Sequence, residues 1–403
     1  MSQSVVERLL QTNPSMEVWW DSSPLVFDPW VKKVVSSAPP EKRAELEAQV
    51  KRLFVASDPA RSVFRGCTTN PPLSLAAVKS DPAYWNRRID ETIAANPGIA
   101  PRELFWETYK AVIRRGAEMM LPIWEASEGR YGFVSGQLDP RLLSEKDAMC
   151  KQAHEISALA PNIMVKVPAS CEGVEVVRYL TSKGISTNVT TCFTLPQIMA
   201  VARAAREGLD IAKKSGVDTS RWRAVITHML GRLTERPELM KQAEYYGVDI
   251  TEADRKWLGL AVVKRACQLL DDGAYPSKML VCSVRPGPHV TGRMRFWDIE
   301  CLAGGNVVFT IPPGALEPLF ALADNLTFDP EAIHKPVPQA SLDKLMKLPY
   351  GLQSLEPHGM SPDQFNTHPA TLFTAAEFSK ASAGLEEYVS GRLALVGAGA
   401  AIA

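Results

Sequence analysis

The run Asn162-Ile-Met-Val-Lys-Val-Pro-Ala-Ser170 sets one cation, Lys166, inside an apolar, β-branched stretch that reads as a buried strand. An ammonium among Ile163, Met164, Val165 and Val167 loses hydration, which disfavours its charged form and lowers its pKa. Taking a lysine from about 10.4 to about 7–8 costs roughly 3–5 kcal/mol of differential solvation. The return on that cost is a neutral amine able to attack a carbonyl and form a Schiff base. The run by itself is equally compatible with an edge-strand lysine that keeps its head in water and discourages aggregation. The rest of the chain has to decide.

A buried lysine needs a scaffold, and the pattern of the chain supplies one. Strand-like apolar runs fall at 16–20, 62–67, 132–138, 162–167, 184–190, 224–229, 278–284 and 306–311. Several are almost continuously apolar, as strands covered on both faces must be. Helical patterns lie between them at 101–127, 144–159, 173–182, 195–215, 251–272 and 313–323. Eight strands alternating with helices point to an α/β fold, a (β/α)8 TIM barrel. The barrel is expected to occupy residues 1–328, with an insertion around 31–60 whose helix, 41–54, follows the Pro-rich stretch 36–40. Residues 329–403 form a C-terminal extension packed on or near the barrel. Its expected content is loops, one helix near 375–392 and a small, apolar tail at 394–403, frayed or packed on a neighbour.

In such barrels the chemistry sits at the carboxyl ends of the strands, and alternate residues point inward. Asp21 closes the first strand, and Thr68, Thr69 and Asn70 the second. Ser135 and Gln137 share a face at the end of the third strand, ahead of Lys166 on the fourth. Asn188 and Thr190 follow on the fifth, Thr227 and Met229 on the sixth with Arg232 just beyond, and Ser283 and Arg285 after the seventh. Hydroxyls and amides so placed can hold a polyol, and two arginines can clamp a phosphate. Taken singly, a strand-end Thr or Ser is ordinarily a turn cap, and an arginine before Pro-Gly a solvated loop charge. Seven strands out of eight ending in polar groups resist that reading.

Composition narrows the classes further. The 403 residues carry 45 basic and 45 acidic side chains, a balance that argues against nucleic acid or an anionic membrane as partner. No apolar run is long enough to span a bilayer, and residues 1–14 lack the pattern of a signal peptide. Seven cysteines, odd in number and without CxxC spacing, fit reduced thiols in a cytoplasm. Six histidines without an HxH or HExxH pair leave a metal-dependent hydrolase without ligands.

Four segments carry a resemblance. Gly66-Cys-Thr-Thr-Asn-Pro-Pro-Leu73 is similar to the TTNPS segment of the transaldolase family, with Pro72 where serine is usual. Val134-Ser-Gly-Gln-Leu-Asp-Pro-Arg-Leu142 resembles its VSxEVDPRL strand. Residues 162–173 resemble its lysine segment and 184–193 the strand after it. The similarity runs in order from about residue 16 to about 325 and is most specific over 130–197; residues 36–60, a long loop near 85–100 and everything after 330 match nothing. The resemblance implies that Lys166 is the Schiff-base nucleophile and Asp21 the base that takes the C4 hydroxyl proton as the C3–C4 bond breaks. It implies that Asn70 and Asn188 hold hydroxyls of a dihydroxyacetone unit and that Thr190 positions a catalytic water; Thr68 and Thr227, at their strand ends, are further substrate-binding candidates. Ser283 and Arg285 would bind the sugar phosphate, with Arg232 assisting. No metal and no organic cofactor would be required. The implied reaction is transfer of a dihydroxyacetone unit between ketose and aldose phosphates, the chemistry of the pentose phosphate pathway, by a cytoplasmic protein for which a homodimer is possible.

Three departures keep alternatives open. Gln137 stands where the family has a glutamate that orients the proton-shuttling water; an amide can hold that water but cannot take its proton at neutral pH. The related fructose-6-phosphate aldolases also carry glutamine there, yet pair it with a tyrosine where this chain has Met229 and transaldolases have phenylalanine. In Ile226-Thr-His-Met-Leu-Gly-Arg232, Thr227 replaces the usual serine and His228 a small residue or proline. Strand alternation makes His228 a packing residue, or a proton donor if the strand is bulged. A simple or specialised aldolase using the same lysine therefore stands beside the transferase, and a non-catalytic sugar-phosphate-binding barrel behind both. Trp19-Trp20 reads as core packing, with one ring facing inward next to Asp21 and able to narrow the lumen; Tyr350, His358 and His368 could reach the site, though their spacing does not say so.

Overall fold

The structure, a computed structural model, describes residues 2–400, with side chains through residue 397. Its strands are β1 (Glu17–Trp20), β2 (Phe64–Thr68), β3 (Phe133–Gln137), β4 (Ile163–Pro168), β5 (Thr187–Cys192), β6 (Ala224–Met229), β7 (Ser277–Cys282), β8 (His289–Val290), β9 (Arg293–Met294) and β10 (Val308–Ile311). β1 to β7 and β10 close into a parallel barrel in chain order, and β8 and β9 form a separate two-stranded hairpin. Every expected strand is present, each within three residues of its expected limits. The hairpin was not foreseen, because two-residue strands leave no periodicity to read.

Closure explains why these strands are apolar on both sides. One face of each looks into the lumen and the other packs beneath the helical ring, so water reaches neither. The adjacent tryptophans divide accordingly. Trp20 turns outward, packing against Phe27, Trp30 and Phe64 with ring centroids 5.1–5.7 Å away. Trp19 turns inward and fills the lumen below Asp21, where Gly66 makes room for it: a Cβ there would come within 2.6 Å of the indole. The floor is closed by Glu17, buried, which accepts from Trp19 Nε1 (3.0 Å) and Lys278 Nζ (2.9 Å) and pairs with Arg223. Those charges are structural, lying at the amino-terminal end of the barrel, away from the strand carboxyl ends.

The expected helices appear as Pro101–Ala126, Lys146–Ser157, Cys171–Ser182, Leu195–Lys214, Glu252–Asp272 and Pro313–Ala321. The expected loop near 85–100 is largely helix, Pro82–Ala95, capped by Asp81 and burying Trp85, Ile89 and Ile93; the stripe is i, i+4, i+8, and its polar remainder masked it. The insertion holds two helices, Phe27–Ser37 and Pro40–Lys51. The first buries Phe27, Trp30, Val31 and Val34; the second buries only Val50, so its signal was weak.

Residues 329–400 hold more order than loops and one helix. Short helices Gln339–Leu345 and Pro349–Leu355 pack along Glu252–Asp272, and a 3-10 segment, Pro362–Thr367, lies on Cys171–Ser182. The chain then enters a C-terminal helix, Pro369–Ala400, longer than expected at both ends. It packs on Pro71–Ser80, Pro101–Ala126 and the turn after β3, and it reaches β5. These elements follow strand carboxyl ends, so the helix lies on the mouth side of the barrel. The expected frayed tail is helical as far as Ala400, and 401–403 lie outside the described residues. Among the described residues, no helix is long and apolar enough to cross a membrane.

Candidate active site

Lys166 is 3% exposed and occupies the middle of a continuous register: Gln137 on β3 pairs with Lys166 on β4, which pairs with Asn188 on β5. A closed barrel has no edge, which disposes of the edge-lysine reading. The amine donates one hydrogen bond, to the Thr69 carbonyl at 3.3 Å. Burial lowers its pKa, opposed by the negative charge of Asp21 and assisted by the positive charge of Arg232.

Asp21 follows β1 at the lumen mouth. Thr68 Oγ1 donates to its Oδ1 at 2.6 Å and can accept in turn from Thr310 Oγ1, also 2.6 Å away. Burial raises the Asp21 pKa, countered by Lys166, the Thr68 hydrogen bond and the two arginines. A carboxylate made more basic and an amine made less basic thus share one lumen, poised to exchange protons with a bound molecule.

Deeper in the lumen, the Asn188 side chain is fixed at both ends. Its Nδ2 donates to Ser135 Oγ (2.8 Å) and its Oδ1 accepts from Thr227 Oγ1 (2.6 Å). All three residues are fully buried, and the amide is held at a strand position next to Lys166. Thr190 lies on the same strand, its Oγ1 3.9 Å from Met229 Sδ. Gln137 is buried, and its Oε1 has no hydrogen-bond partner among the described residues. Asn70 is a helix cap: its Oδ1 accepts from Leu73 N–H at 2.9 Å, which leaves its Nδ2 as the group able to donate to a ligand.

The two arginines lie on the β6–β7 side. Ser283 adopts a left-handed backbone (φ 57°), uncommon for serine, and its carbonyl accepts from Gly231 N–H at 3.0 Å. A Cβ at Gly231 would meet that carbonyl at 2.6 Å, so the residue before Arg232 has to be glycine for the two loops to touch. Asp298 and Lys256 support the next turn: Asp298 Oδ2 accepts from Arg285 N–H (2.8 Å) and from Lys256 Nζ (3.0 Å), which also donates to the Arg285 carbonyl (3.0 Å). Arg285 Nε lies 3.8 Å from Glu235, and Arg232 pairs with Glu377 of the C-terminal helix.

The barrel therefore gathers Lys166, Asp21, Thr68, Gln137, Asn188, Thr190 and Thr227 around one lumen, with Arg232, Ser283 and Arg285 on its rim. The histidines stay out. His228 is fully buried facing away from the lumen, in unbroken register with β7, and burial holds its pKa down to about 3, so it is neutral and no proton donor near neutral pH. His368 stacks on Phe193 (6.2 Å) with its pKa lowered to about 4 by burial, Tyr350 donates to the Leu233 carbonyl (2.9 Å), and His358 is exposed. Residues unforeseen from sequence are Thr310, Lys256, Asp298 and Glu377. Alternation on the last barrel strand would have found Thr310. The others lie on elements remote in sequence from the groups they touch.

A family model described as Transaldolase/Fructose-6-phosphate aldolase matches residues 53–364, further into the extension than the sequence motifs ran. A protein named Transaldolase 2 from Streptomyces avermitilis is 26% identical over 334 residues, 78% of this chain and 88% of that protein. A Transaldolase from Arthrobacter sp. is 31% identical over 211 residues, 51% of this chain and 55% of its own. Transaldolase 1 of Streptomyces avermitilis is 29% identical over 209 residues, 51% of this chain and 54% of its own, so the chain spans about half the length of these two relatives. The chain belongs to the transaldolase/fructose-6-phosphate aldolase family.

Proposed function

We propose that the protein transfers a dihydroxyacetone unit from a ketose phosphate to an aldehyde acceptor through a Schiff base on Lys166. The observation that carries this reading is the pairing, in one closed lumen, of a desolvated lysine with an aspartate whose pKa is driven up by the same burial. The neutral amine of Lys166 adds to the ketose carbonyl and water leaves, giving an iminium. Asp21 takes the proton from the C4 hydroxyl, the C3–C4 bond breaks, and its electrons enter the iminium to form an enamine while the aldose phosphate departs. The enamine then attacks an incoming aldehyde, and hydrolysis frees the lysine. Asn188, held by Ser135 and Thr227, is assigned to a hydroxyl of the three-carbon unit, with Asn70 Nδ2 and Thr68 beside it. Thr190 and Gln137 are assigned to the water that moves protons on and off the nitrogen. Ser283, Arg285 and Arg232 are assigned to the phosphate, whose binding energy orients the reacting carbons from a distance.

Barrel, 1–328, and extension, 329–403, are read as one working unit, a cytoplasmic enzyme acting on small sugar phosphates, with a homodimer as its proposed assembly. A second reading keeps the lysine and changes the outcome: an aldolase that releases free dihydroxyacetone. Gln137 favours it and Met229, which offers no acid, disfavours it.

The deciding experiment is intact mass after borohydride reduction with fructose 6-phosphate and, separately, with dihydroxyacetone, on wild type and Lys166→Ala. A dihydroxyacetone-sized adduct from the sugar phosphate, absent from the variant, is the expected result. An adduct from dihydroxyacetone alone leaves the lysine reactive and the donor wrong. Failure of both defeats the reading and favours a barrel that only binds; an unchanged adduct in Lys166→Ala defeats the assignment to Lys166 and places the reactive amine elsewhere. Turnover without an acceptor aldehyde separates aldolase from transferase.

A further inference from the structure

Both arginines assigned to the phosphate already face carboxylates, and one of these comes from the extension. Arg285 lies 3.8 Å from Glu235, on its own side of the mouth. Arg232 is paired with Glu377, which the C-terminal helix carries in from 145 residues away. Phe378, the next residue, places its ring centroid 5.2 Å from the same guanidinium, so a face of Arg232 is covered as well as an edge. The helix is pinned on either side of this contact. Arg236 lies over Phe373 at 3.4 Å, and further along Arg141 pairs with Glu386 at 2.6 Å. The buried side of the helix also presents Thr371 and Thr374, whose hydroxyls have no hydrogen-bond partners among the described residues.

We propose that Glu377 is a built-in competitor for the phosphate subsite, its carboxylate occupying Arg232 until a substrate phosphate displaces it. This rests on the sugar-phosphate reading above. With both carboxylates in place each of the two arginines faces a counter-charge, Arg232 closely and Arg285 at 3.8 Å. A phosphate near neutral pH carries close to two negative charges and three acceptor oxygens, and it can engage the guanidinium fork in two parallel bonds. A carboxylate can form the same two bonds, but with one negative charge and two oxygens instead of nearly two charges and three oxygens. Glu377 is released at little cost, because its side chain is already 46% exposed and water rehydrates it. Glu377 therefore makes occupation of Arg232 conditional on an anion that binds the guanidinium more strongly than a carboxylate does, and it does so from the C-terminal extension.

The test is Glu377→Gln, with Glu377→Ala beside it, measured two ways. Calorimetric binding of inorganic phosphate to the full-length protein is expected to tighten about two- to fivefold, the range of an exposed ion pair. KM for the phosphorylated donor is expected to fall by a similar factor, with a smaller effect on dihydroxyacetone. Equal phosphate affinity in wild type and variants, or weaker affinity in the variants, overturns the proposal; weaker affinity would mean that Glu377 positions Arg232 for phosphate instead. Absence of phosphate binding from all three proteins overturns it together with the phosphate subsite. The Schiff-base reaction stands or falls separately, on the borohydride adduct of the wild type.

Discussion

Gln137 and Lys166 are register partners on adjacent strands, and the Oε1 of the glutamine is buried without a hydrogen-bond partner among the described residues. Leaving such an acceptor unmet costs about 1–3 kcal/mol, a cost that a bound water beside the lysine would remove. The side chain thus stands where a water could be shared with the nitrogen, while lacking the charge to take its proton. Gln137→Glu is expected to raise kcat for donor cleavage by about tenfold, below the full range of general-base catalysis because the new carboxylate is buried. The same burial should lower the melting temperature by a few degrees. A fall in kcat with the fold intact would mean that the lumen tolerates only the neutral amide.

The barrel and the lumen set were legible because each strand is short, apolar and closed by a polar residue, so alternation alone put Lys166, Gln137, Asn188 and Thr227 on one surface. The machinery that holds the rim was not. Asp298 acts on Arg285 from a four-residue helix, Trp297–Glu300, and Lys256 reaches both from the middle of a long helix; neither has a periodicity tied to the groups it serves. Glu377 is harder still, since an acidic residue on a mostly apolar helix reads as solvated until the fold brings Arg232 beneath it. Asn70 shows the reverse limit: its type and place suggested a ligand to substrate, but one end of its amide is spent on starting a helix.

The opposed shifts at Lys166 and Asp21 predict how adduct formation responds to pH. The charge on Asp21 stabilises the ammonium, so it raises the lysine pKa against the lowering by burial. Asp21→Asn removes that support and should lower the Lys166 pKa further. Trapping of dihydroxyacetone by borohydride, which needs the neutral amine, should then reach half its maximum at lower pH than in wild type, even though retro-aldol turnover is lost with the base. A midpoint that stays put or moves upward would show that the two groups are not coupled.

Removal of the Arg285 guanidinium separates phosphate binding from the chemistry. Arg285→Ala is expected to raise KM for phosphorylated donors by about ten- to a hundredfold, the worth of one charge-assisted contact, and to change KM for dihydroxyacetone little. Steady-state kinetics on the two substrates is sufficient. Equal losses on both would mean that Arg285 supports the loop and not the phosphate.

Lys256 is the residue whose loss should couple stability to the rim. It and Asp298 are buried together, and burial already raises the Asp298 pKa in spite of the lysine beside it. Lys256→Met leaves that carboxylate without its cation, a change that typically costs about 3–5 kcal/mol. The sign with pH follows from the raised value. Folded protein keeps a proton on Asp298 that the unfolded chain releases, so stability of the variant should fall as pH rises from the unfolded carboxylate range through the raised folded pKa. Because the same carboxylate holds the Arg285 backbone N–H at 2.8 Å, KM for the phosphorylated donor should rise alongside. Thermal denaturation across pH checks the first effect and kinetics the second. The double variant Lys256→Met/Asp298→Asn, which removes the stranded charge, should recover stability without recovering KM in full. If it recovers neither, the pair is not what holds this turn in place.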